Sequence, residues 1–184
     1  MGGVFPETQA IARLRVDGTV PTEMAVLPSE LPGPPPYHAD LRQARPQQRD
    51  FIVFGMPDGT DVVNGQLYPG PARPPMFGLS LGSVVEWSLV GGEAPSTLQR
   101  IHPYHQHLTP FQVVSVEWAG DSMNANASEV GLLAVVGDWR DTLPLYGAVR
   151  YTVRFVAPFE GLMTVHCHIQ KHSEYGMMAL ARIE

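Results

Sequence analysis

The chain is predicted to fold as an all-β, Greek-key β-sandwich with an N-terminal strand and a proline-rich extension. Its 184 residues include 18 glycines and 18 prolines, which supply turns at close intervals and disfavour long helices. About eight short apolar or alternating runs lie between these turns, which is typical of a sandwich. Hydrophobic residues make up 44% of the chain and charged residues 16%, so a sizeable core is expected.

The predicted strands are identified by apolar composition or by period-two alternation. The run from Val149 to Phe155 alternates most cleanly, as expected for a strand with one buried and one solvated face. The Asn64-Gly65 pair predicts a tight turn after a short strand. The predicted strands are 51–56, 61–63, 83–90, 111–118, 132–136, 148–156, 162–168 and 177–183. No helix is predicted, and residues 121–128 are expected to form a loop.

The first 49 residues are interpreted as a segment that precedes the main domain. Residues 9–16 alternate apolar and polar side chains, which predicts a half-buried strand. Prolines then recur as far as the run at 34–36, and proline fixes φ and removes an amide donor. We therefore expect a strand and a stiff linker in residues 1–49, and one domain in residues 50–184.

Composition excludes several classes of partner. The net charge of −6 and the single lysine argue against nucleic acid and against an anionic membrane surface, because both favour clustered basic residues. No window approaches the roughly 20 apolar residues of a membrane helix, so no membrane span is expected. The first five residues lack the basic start and apolar run of a secretory signal. One cysteine permits no internal disulfide.

Six of the seven histidines and the single cysteine fall in two short stretches of sequence. Residues 102–107 read His-Pro-Tyr-His-Gln-His. Residues 166–178 read His-Cys-His-Ile-Gln-Lys-His-Ser-Glu-Tyr-Gly-Met-Met. Imidazole and thiolate groups are ligands of first-row transition metals. The two stretches together therefore predict a metal centre.

The residues around the cysteine predict two donor sets on opposite faces of one strand. On an extended chain, neighbouring side chains point to opposite faces and residues two apart share a face. His166 and His168 are therefore expected on one face and Cys167 on the other. His105 and His107 have the same two-residue spacing. One short segment can then serve two metal centres.

The chemistry of the donors suggests which residues form each set. Two imidazoles, one thiolate and a weak thioether suit electron-transfer copper. The candidates for this set are His102, Cys167, His172 and Met177. The remaining set is all imidazole and suits copper, zinc, iron or nickel. Its members are His105, His107, His166 and His168.

Two alternatives remain open at the level of the residues. Zinc also binds histidine and thiolate, although one tetrahedral zinc site needs fewer ligands than this chain offers and gives no reason for Met177. Met177 is also a candidate for simple core packing, because methionine fills irregular gaps. The two donor sets together favour copper over zinc, and the role of Met177 stays open at this level.

Both stretches resemble the C-terminal cupredoxin domain of the multicopper oxidases, a family that includes laccases and bilirubin oxidases. The signatures His-Pro-x-His-x-His and His-Cys-His-x-x-x-His-x-x-x-x-Met are both present without a gap. The resemblance covers roughly the last 130 residues, a domain-sized block. It implies a cupredoxin-like fold, copper as cofactor, and a secreted or periplasmic location. It also implies that the strand at 9–16 closes a preceding domain.

The resemblance also implies a role for each ligand. The implied ligands of a type 1 copper are His102, Cys167, His172 and, in the axial position, Met177. His105 is implied as a ligand of the type 2 copper. The implied ligands of the type 3 copper pair are His107, His166 and His168. Cys167 would relay electrons from the first site through His166 and His168 to the second.

The chain departs from the family in the number of its histidines. The three-copper cluster of the family takes eight histidines, half of them from two His-x-His pairs in an N-terminal domain. The seventh histidine here, His38, stands alone in the proline-rich stretch. A complementary domain or chain is therefore expected to supply the missing pairs, so that oxidation of a small-molecule or metal-ion donor is coupled to reduction of dioxygen to water. The alternative is a stand-alone cupredoxin that transfers electrons or binds copper without oxidase activity.

Overall fold

The computed structural model describes residues 15, 18, 30, 39–92, 101–118, 134–147 and 149–184. The chain divides into two units, Met1–Pro34 and Pro35–Glu184, and the elements below all belong to the second. The strand predicted at 9–16 and the loop predicted at 121–128 lie outside the described residues, as does most of the proline-rich linker. The domain boundary predicted after residue 49 stays a prediction.

Ten strands and one short helix form the described part of the chain. In chain order they are β1 (Gln48–Phe54), β2 (Phe77–Leu79), β3 (Val84–Gly91), β4 (His102–Gln106), β5 (Phe111–Trp118), β6 (Trp139–Arg140), β7 (Thr142–Leu145), β8 (Val149–Val156), β9 (Gly161–Cys167), α1 (Gln170–Glu174) and β10 (Met178–Ile183). One five-stranded sheet has the order β1-β3-β8-β5-β6, and the other has the order β2-β10-β9-β4-β7. The β1–β3 and β2–β10 pairs are parallel, and the remaining pairs are antiparallel. The prediction of an all-β sandwich is confirmed.

The core lies between the two sheets and follows from period-two alternation. Buried and half-buried residues alternate along the whole of β3, so one of its faces packs inward. Trp87 of β3 is fully buried, and its ring lies 5.3 Å from that of Phe77 on β2 in the other sheet. Phe155 of β8 meets the same indole edge-on at 4.9 Å. Aromatic contacts therefore join the two sheets.

The elements differ from the predictions mainly where they are short. The predicted strand 61–63 is reduced to isolated bridges of Val63 with Phe54 and Gln66, and the described part of 132–136 is not a strand. Strands β2, β4, β6 and β7 have two to five residues and were not predicted, because such runs carry too little periodicity. The expectation of no helix is wrong: α1 has five residues, none of them buried, so it carries no apolar pattern.

Residues ahead of β1 are anchored on the first sheet. Leu41 is buried, and its amide donates to Oε1 of Gln112 on β5 at 2.6 Å. Nη1 of Arg154 donates to the carbonyl oxygens of Leu41 and Arg42 at 2.8 and 2.7 Å. Arg154 also donates to the carboxylate of Glu86 on β3 at 2.7 Å. This ion pair therefore fixes both the sheet and the segment that leads into it.

Replacement of Glu86 tests this anchor. Burial opposes ionisation of Glu86, but hydrogen bonds from Arg49 and Arg154 outweigh it and leave the pKa of Glu86 below its ordinary value. A carboxyl with a lowered folded-state pKa stabilises the fold above its unfolded-state pKa, and this stabilisation is lost as pH falls through the folded-state pKa. Glu86→Gln is expected to lower the free energy of unfolding by about 2 kcal/mol near neutral pH, measured by urea unfolding.

The matched control for this test is Glu117→Gln on β5. Glu117 lies 4.0 Å from Arg150, and its side chain is 57% exposed. Its loss is expected to change the free energy of unfolding by less than about 0.5 kcal/mol. The difference in free energy of unfolding between the two variants should disappear as the pH is lowered through the folded-state pKa of Glu86. Equal losses, or a gap that does not change with pH, contradict the anchoring role.

Candidate metal centre

Two adjacent strands of the second sheet carry four of the eight predicted ligands, and two more, His107 and His168, directly follow these strands. Strands β4 and β9 are antiparallel, with Tyr104 opposite Cys167 and His105 opposite His166. Burial alternates along both strands. His102 and Cys167 are fully buried on the inner face, whereas His105 and His166 lie on the outer face. The extended backbone therefore separates the thiol from the histidines on either side of it.

The inner face brings together three of the predicted ligands in an inner set. Sγ of Cys167 lies 3.9 Å from Nδ1 of His102 and 3.7 Å from Nδ1 of His172. The two Nδ1 atoms are 3.2 Å apart. His172 stands on α1, and its side chain is 16% exposed. The inner set therefore has one imidazole that approaches the surface and two ligands that are closed off from solvent.

The size of this triangle fits a transition-metal ion. The circle through the three donor atoms has a radius of about 2.1 Å, as the three interatomic distances require. A first-row ion lies about 2.0–2.1 Å from histidine nitrogen and about 2.3 Å from thiolate sulfur. One ion within the triangle is thus within bonding range of all three atoms. Two imidazoles and one thiolate are also the donors of trigonal electron-transfer copper sites.

The segment after β9 returns the backbone of Met177 to Cys167 and His172. The Cys167 amide donates to the Met177 carbonyl at 3.1 Å, and the Met177 amide donates to the His172 carbonyl at 3.0 Å. Met177 is fully buried, whereas Met178 is half-buried and pairs with His166. The backbone therefore places Met177, and not Met178, beside Cys167 and His172.

The outer face brings together three of the four other predicted ligands and places the fourth, His168, beside them; these four histidines are called the outer set below. Nε2 of His107 lies 3.0 Å from Nε2 of His166, and one ring nitrogen of His105 falls in the same group within 4.8 Å. The ring of His168 lies 5.2 Å from that of His105 and 5.9 Å from that of His166. His168 is exposed and stands beside the three-nitrogen group, and is not a member of it.

Neighbouring groups contact one ring nitrogen on each of two outer imidazoles. Nδ1 of His105 lies 2.9 Å from Oγ1 of Thr142 and 3.1 Å from the carbonyl oxygen of Asp141. Nδ1 of His166 lies 2.8 Å from the carbonyl oxygen of Cys167. Such contacts at one ring nitrogen aim the other at a metal. Partial desolvation, with the nearby imidazoles, lowers the pKa of His107 and favours its neutral, metal-binding form.

One acidic residue beside the inner set was not anticipated from the sequence. Oδ1 of Asp61 lies 3.6 Å from Nδ1 of His172, and both side chains are largely buried, at 17% and 16% exposure. Asp61 belongs to the turn region after β1, whereas His172 belongs to α1. No local pattern links the two segments, so only the tertiary structure shows this contact.

The fold is a β-sandwich with two sets of potential metal ligands on opposite faces of one strand pair. Residues 33–184 match the family model described as "Multicopper oxidase", and the chain belongs to that family. Membership of this family implies copper as a cofactor. The predicted resemblance to the multicopper oxidases is confirmed.

Two similar proteins are named as a bilirubin oxidase and a laccase. A bilirubin oxidase from Albifimbria verrucaria is 28% identical over 179 residues, which cover 95% of this chain and 28% of the relative. A laccase from Bacillus stratosphericus is 31% identical over 108 residues, 53% of this chain and 20% of the relative. The chain therefore spans less than a third of the length of these relatives.

Solved structures show the same fold. A multicopper oxidase from Campylobacter jejuni, described as a metallo-oxidase, superposes with a TM-score of 0.63 at 20% identity, covering 88% of this chain and 34% of that one. A multicopper oxidase from Pseudomonas thermotolerans gives a TM-score of 0.61 at 23% identity, covering 87% of this chain and 34% of that one.

Among the described residues, no helix is long and apolar enough to cross a membrane.

Gly176 is expected to control the return of the chain from α1 to Met177. Its φ is +110°, and a Cβ there would lie 3.1 Å from Cδ2 of Leu67 and 3.1 Å from the Tyr68 amide nitrogen. Gly176→Ala is therefore expected to lower the free energy of unfolding by about 1–3 kcal/mol. It should also weaken metal binding at the inner set, measured by competition with a chelator.

Gly78→Ala provides the control for this substitution. A Cβ at Gly78 would meet nothing within 4 Å, and the residue has no positive φ. Its replacement is expected to leave metal affinity unchanged and to alter stability by no more than about 1 kcal/mol. Unchanged stability and affinity in Gly176→Ala would show that the turn does not position the ligands.

Proposed function

We propose that this chain is the C-terminal copper domain of a multicopper oxidase. A type 1 copper would be held by the inner set, which consists of His102, Cys167 and His172, together with Met177. Bound copper there would accept and pass on single electrons. The observation that carries this proposal is the triangle of donor atoms, whose radius of about 2.1 Å suits one transition-metal ion.

The chain itself supplies an electron path between the two donor sets. His172 reaches the surface with part of its ring, so an electron donor can approach the inner set there. Cys167 is joined by single peptide bonds to His166 and to His168, which stand at the outer set. These three residues would therefore relay electrons from the inner face of the sheet to the outer face.

The outer set would hold half of a three-copper cluster. We assign His105 to the type 2 copper, and His107, His166 and His168 to the type 3 pair. Two His-x-His pairs on a complementary domain or chain would supply the other ligands, and the completed cluster would reduce dioxygen to water. Support comes from the length of the relatives, of which this chain spans 28% or less in the two matches given. A secreted or periplasmic location belongs to the same proposal.

An apolar groove beside the outer set offers a docking surface for that complementary domain. The groove has a volume of about 510 Å³, and Leu108, Thr109 and Pro110 line both it and the depression at His105 and His107. Leu108 is 56% exposed with a φ of +69°, an unusual backbone conformation for a bulky residue. Phe159, at 62% exposure, also lines the groove. Such exposed apolar groups next to an incomplete ligand set favour a partner that supplies histidines and covers the groove.

A second candidate function is that of a stand-alone cupredoxin, which transfers electrons or binds copper without reducing dioxygen. It is favoured by one observation. The inner set is complete within this chain, whereas the outer set supplies only four of the eight histidines that a three-copper cluster needs. The electron donor is proposed to be a small molecule or a metal ion in either case.

Copper loading tests the inner set. The wild-type chain is expected to bind copper(II) with intense visible absorption, because the thiolate transfers charge to the ion, and with a paramagnetic signal, because copper(II) has one unpaired electron. The absorption should disappear in Cys167→Ser, and electron paramagnetic resonance should show an altered signal for any copper(II) that remains bound. A paired His107→Ala and His166→Ala variant should keep the absorption, since it alters only the outer set. Retention of the absorption in Cys167→Ser would exclude the proposed type 1 site.

Metal counting and oxygen consumption separate the two candidate functions. The isolated chain is expected to bind one tightly held copper and to reduce little dioxygen. Addition of the complementary domain or chain that carries two His-x-His pairs should raise the copper content and start oxygen consumption. Leu108→Asp should reduce this complementation at least tenfold, because a buried unpaired charge costs more than about 1.4 kcal/mol, while the visible absorption stays. One copper and no oxygen consumption in the completed assembly would favour the stand-alone cupredoxin.

A further inference from the structure

Asp61 stands at the inner set although it belongs to neither metal-binding motif. Oδ1 of its carboxylate lies 3.6 Å from Nδ1 of His172. That same nitrogen lies 3.2 Å from Nδ1 of His102 and 3.7 Å from Sγ of Cys167. The carboxylate therefore approaches the metal-facing atom of the imidazole, not its outer edge.

The turn region after β1 holds Asp61 in this place. The Gly55 amide donates to the Val62 carbonyl at 2.9 Å, and Val62 and Val63 are buried. Oδ1 of Asn64 accepts from the Val53 amide at 2.7 Å, and Nδ2 of Asn64 donates to the Phe51 carbonyl at 2.9 Å. Asp61 thus precedes a pair of core residues whose backbone is tied to β1. Because the aspartate side chain is short and the backbone beside it is fixed, the fold holds the carboxylate near His172.

Burial distinguishes Asp61 from an ordinary surface carboxylate. Its side chain is 17% exposed, and that of His172 is 16% exposed. A charge in such a place interacts with its neighbours through a lower effective dielectric constant than that of bulk water. Salt also screens it less than it screens a fully exposed charge.

We propose that Asp61 tunes the inner metal site through the charge of its carboxylate. A nearby negative charge stabilises a doubly charged copper ion more than a singly charged one, so it lowers the reduction potential of the site. The effect adds to that of a thioether in the axial position, which acts in the same direction. The role rests on the proposed copper site. It concerns a residue that lies outside both sequence signatures.

The central experiment compares wild type with Asp61→Asn, which keeps the size of the side chain and removes its charge. Both proteins are loaded with copper, and the reduction potential is measured at neutral pH by equilibrium titration against a one-electron mediator couple, followed by visible absorption. Asp61→Asn is expected to lower the ratio of copper(II) to copper(I) affinity about tenfold, which raises the potential by about 59 mV. Competition with chelators specific for each oxidation state should assign this change mainly to copper(II).

Two further variants provide matched controls. Asp58→Asn removes a carboxylate from the same turn region, where Asp58 is exposed and accepts from Thr60 at 2.7 Å, and it should leave the potential unchanged. Asp61→Glu restores the charge and should recover most of the wild-type potential. Asp61→Ser, smaller than asparagine, should reproduce the rise in potential if Asp61→Asn folds poorly.

The possible outcomes separate this role from the proposed function. The tuning role is supported if the reduction potential rises in Asp61→Asn or Asp61→Ser and if Asp61→Glu largely restores the wild-type value. The tuning role is overturned, and the proposed copper site is left intact, if wild type forms a thiolate-bound copper site but all the Asp61 variants have the wild-type reduction potential. Failure of wild type to form a thiolate-bound copper site overturns both.

Discussion

The period-two alternation of β9 is the constraint on which both donor sets depend. Because successive side chains on a strand point to opposite faces, Cys167 faces the buried side while His166 faces outward. Strand β4 repeats this division and pairs with β9 residue by residue. A shift of one residue in this register would send the thiol outward and an imidazole into the core. The register of one strand pair therefore determines which ligands can meet.

The rest of the fold keeps that register fixed. Tyr104 lies opposite Cys167, is fully buried, and donates from its hydroxyl group to Oε1 of Gln106 at 2.8 Å. Its ring packs 5.5 Å from Phe54 and 5.7 Å from Phe111, both in the other sheet. The inner ligands therefore rest on a close-packed aromatic core. The outer ligands stand at the surface, where a second protein surface can reach them.

The sequence was most informative where a regular pattern and the metal-binding motifs coincide. The strand predicted at 162–168 is β9, displaced by one residue at each end, and the strand predicted at 177–183 is β10. Extended geometry alone was enough to separate Cys167 from His166 and His168. Donor chemistry alone predicted an electron-transfer copper site at the inner set. The predicted division of the outer histidines between type 2 and type 3 copper came only from resemblance to a family.

The remaining features could not be read from local sequence for physical reasons. Helix α1 has five residues and no buried face, so it produces no helical period. Strand β2 has three residues and follows a proline-rich run. The contact of Asp61 with His172 depends on how the turn region after β1 packs against the segment after β9. Such a contact requires the complete three-dimensional structure.

One metal ion is proposed to bind between the buried thiolate of Cys167 and the imidazoles of His102 and His172. The direct test is a crystal structure of the copper-loaded chain, with anomalous scattering measured at the copper absorption edge. An anomalous peak is expected within about 2.3 Å of Sγ of Cys167 and of Nδ1 of both His102 and His172. A copper-loaded crystal with no peak at that position, or with copper bound only by the outer histidines, would contradict the proposed site.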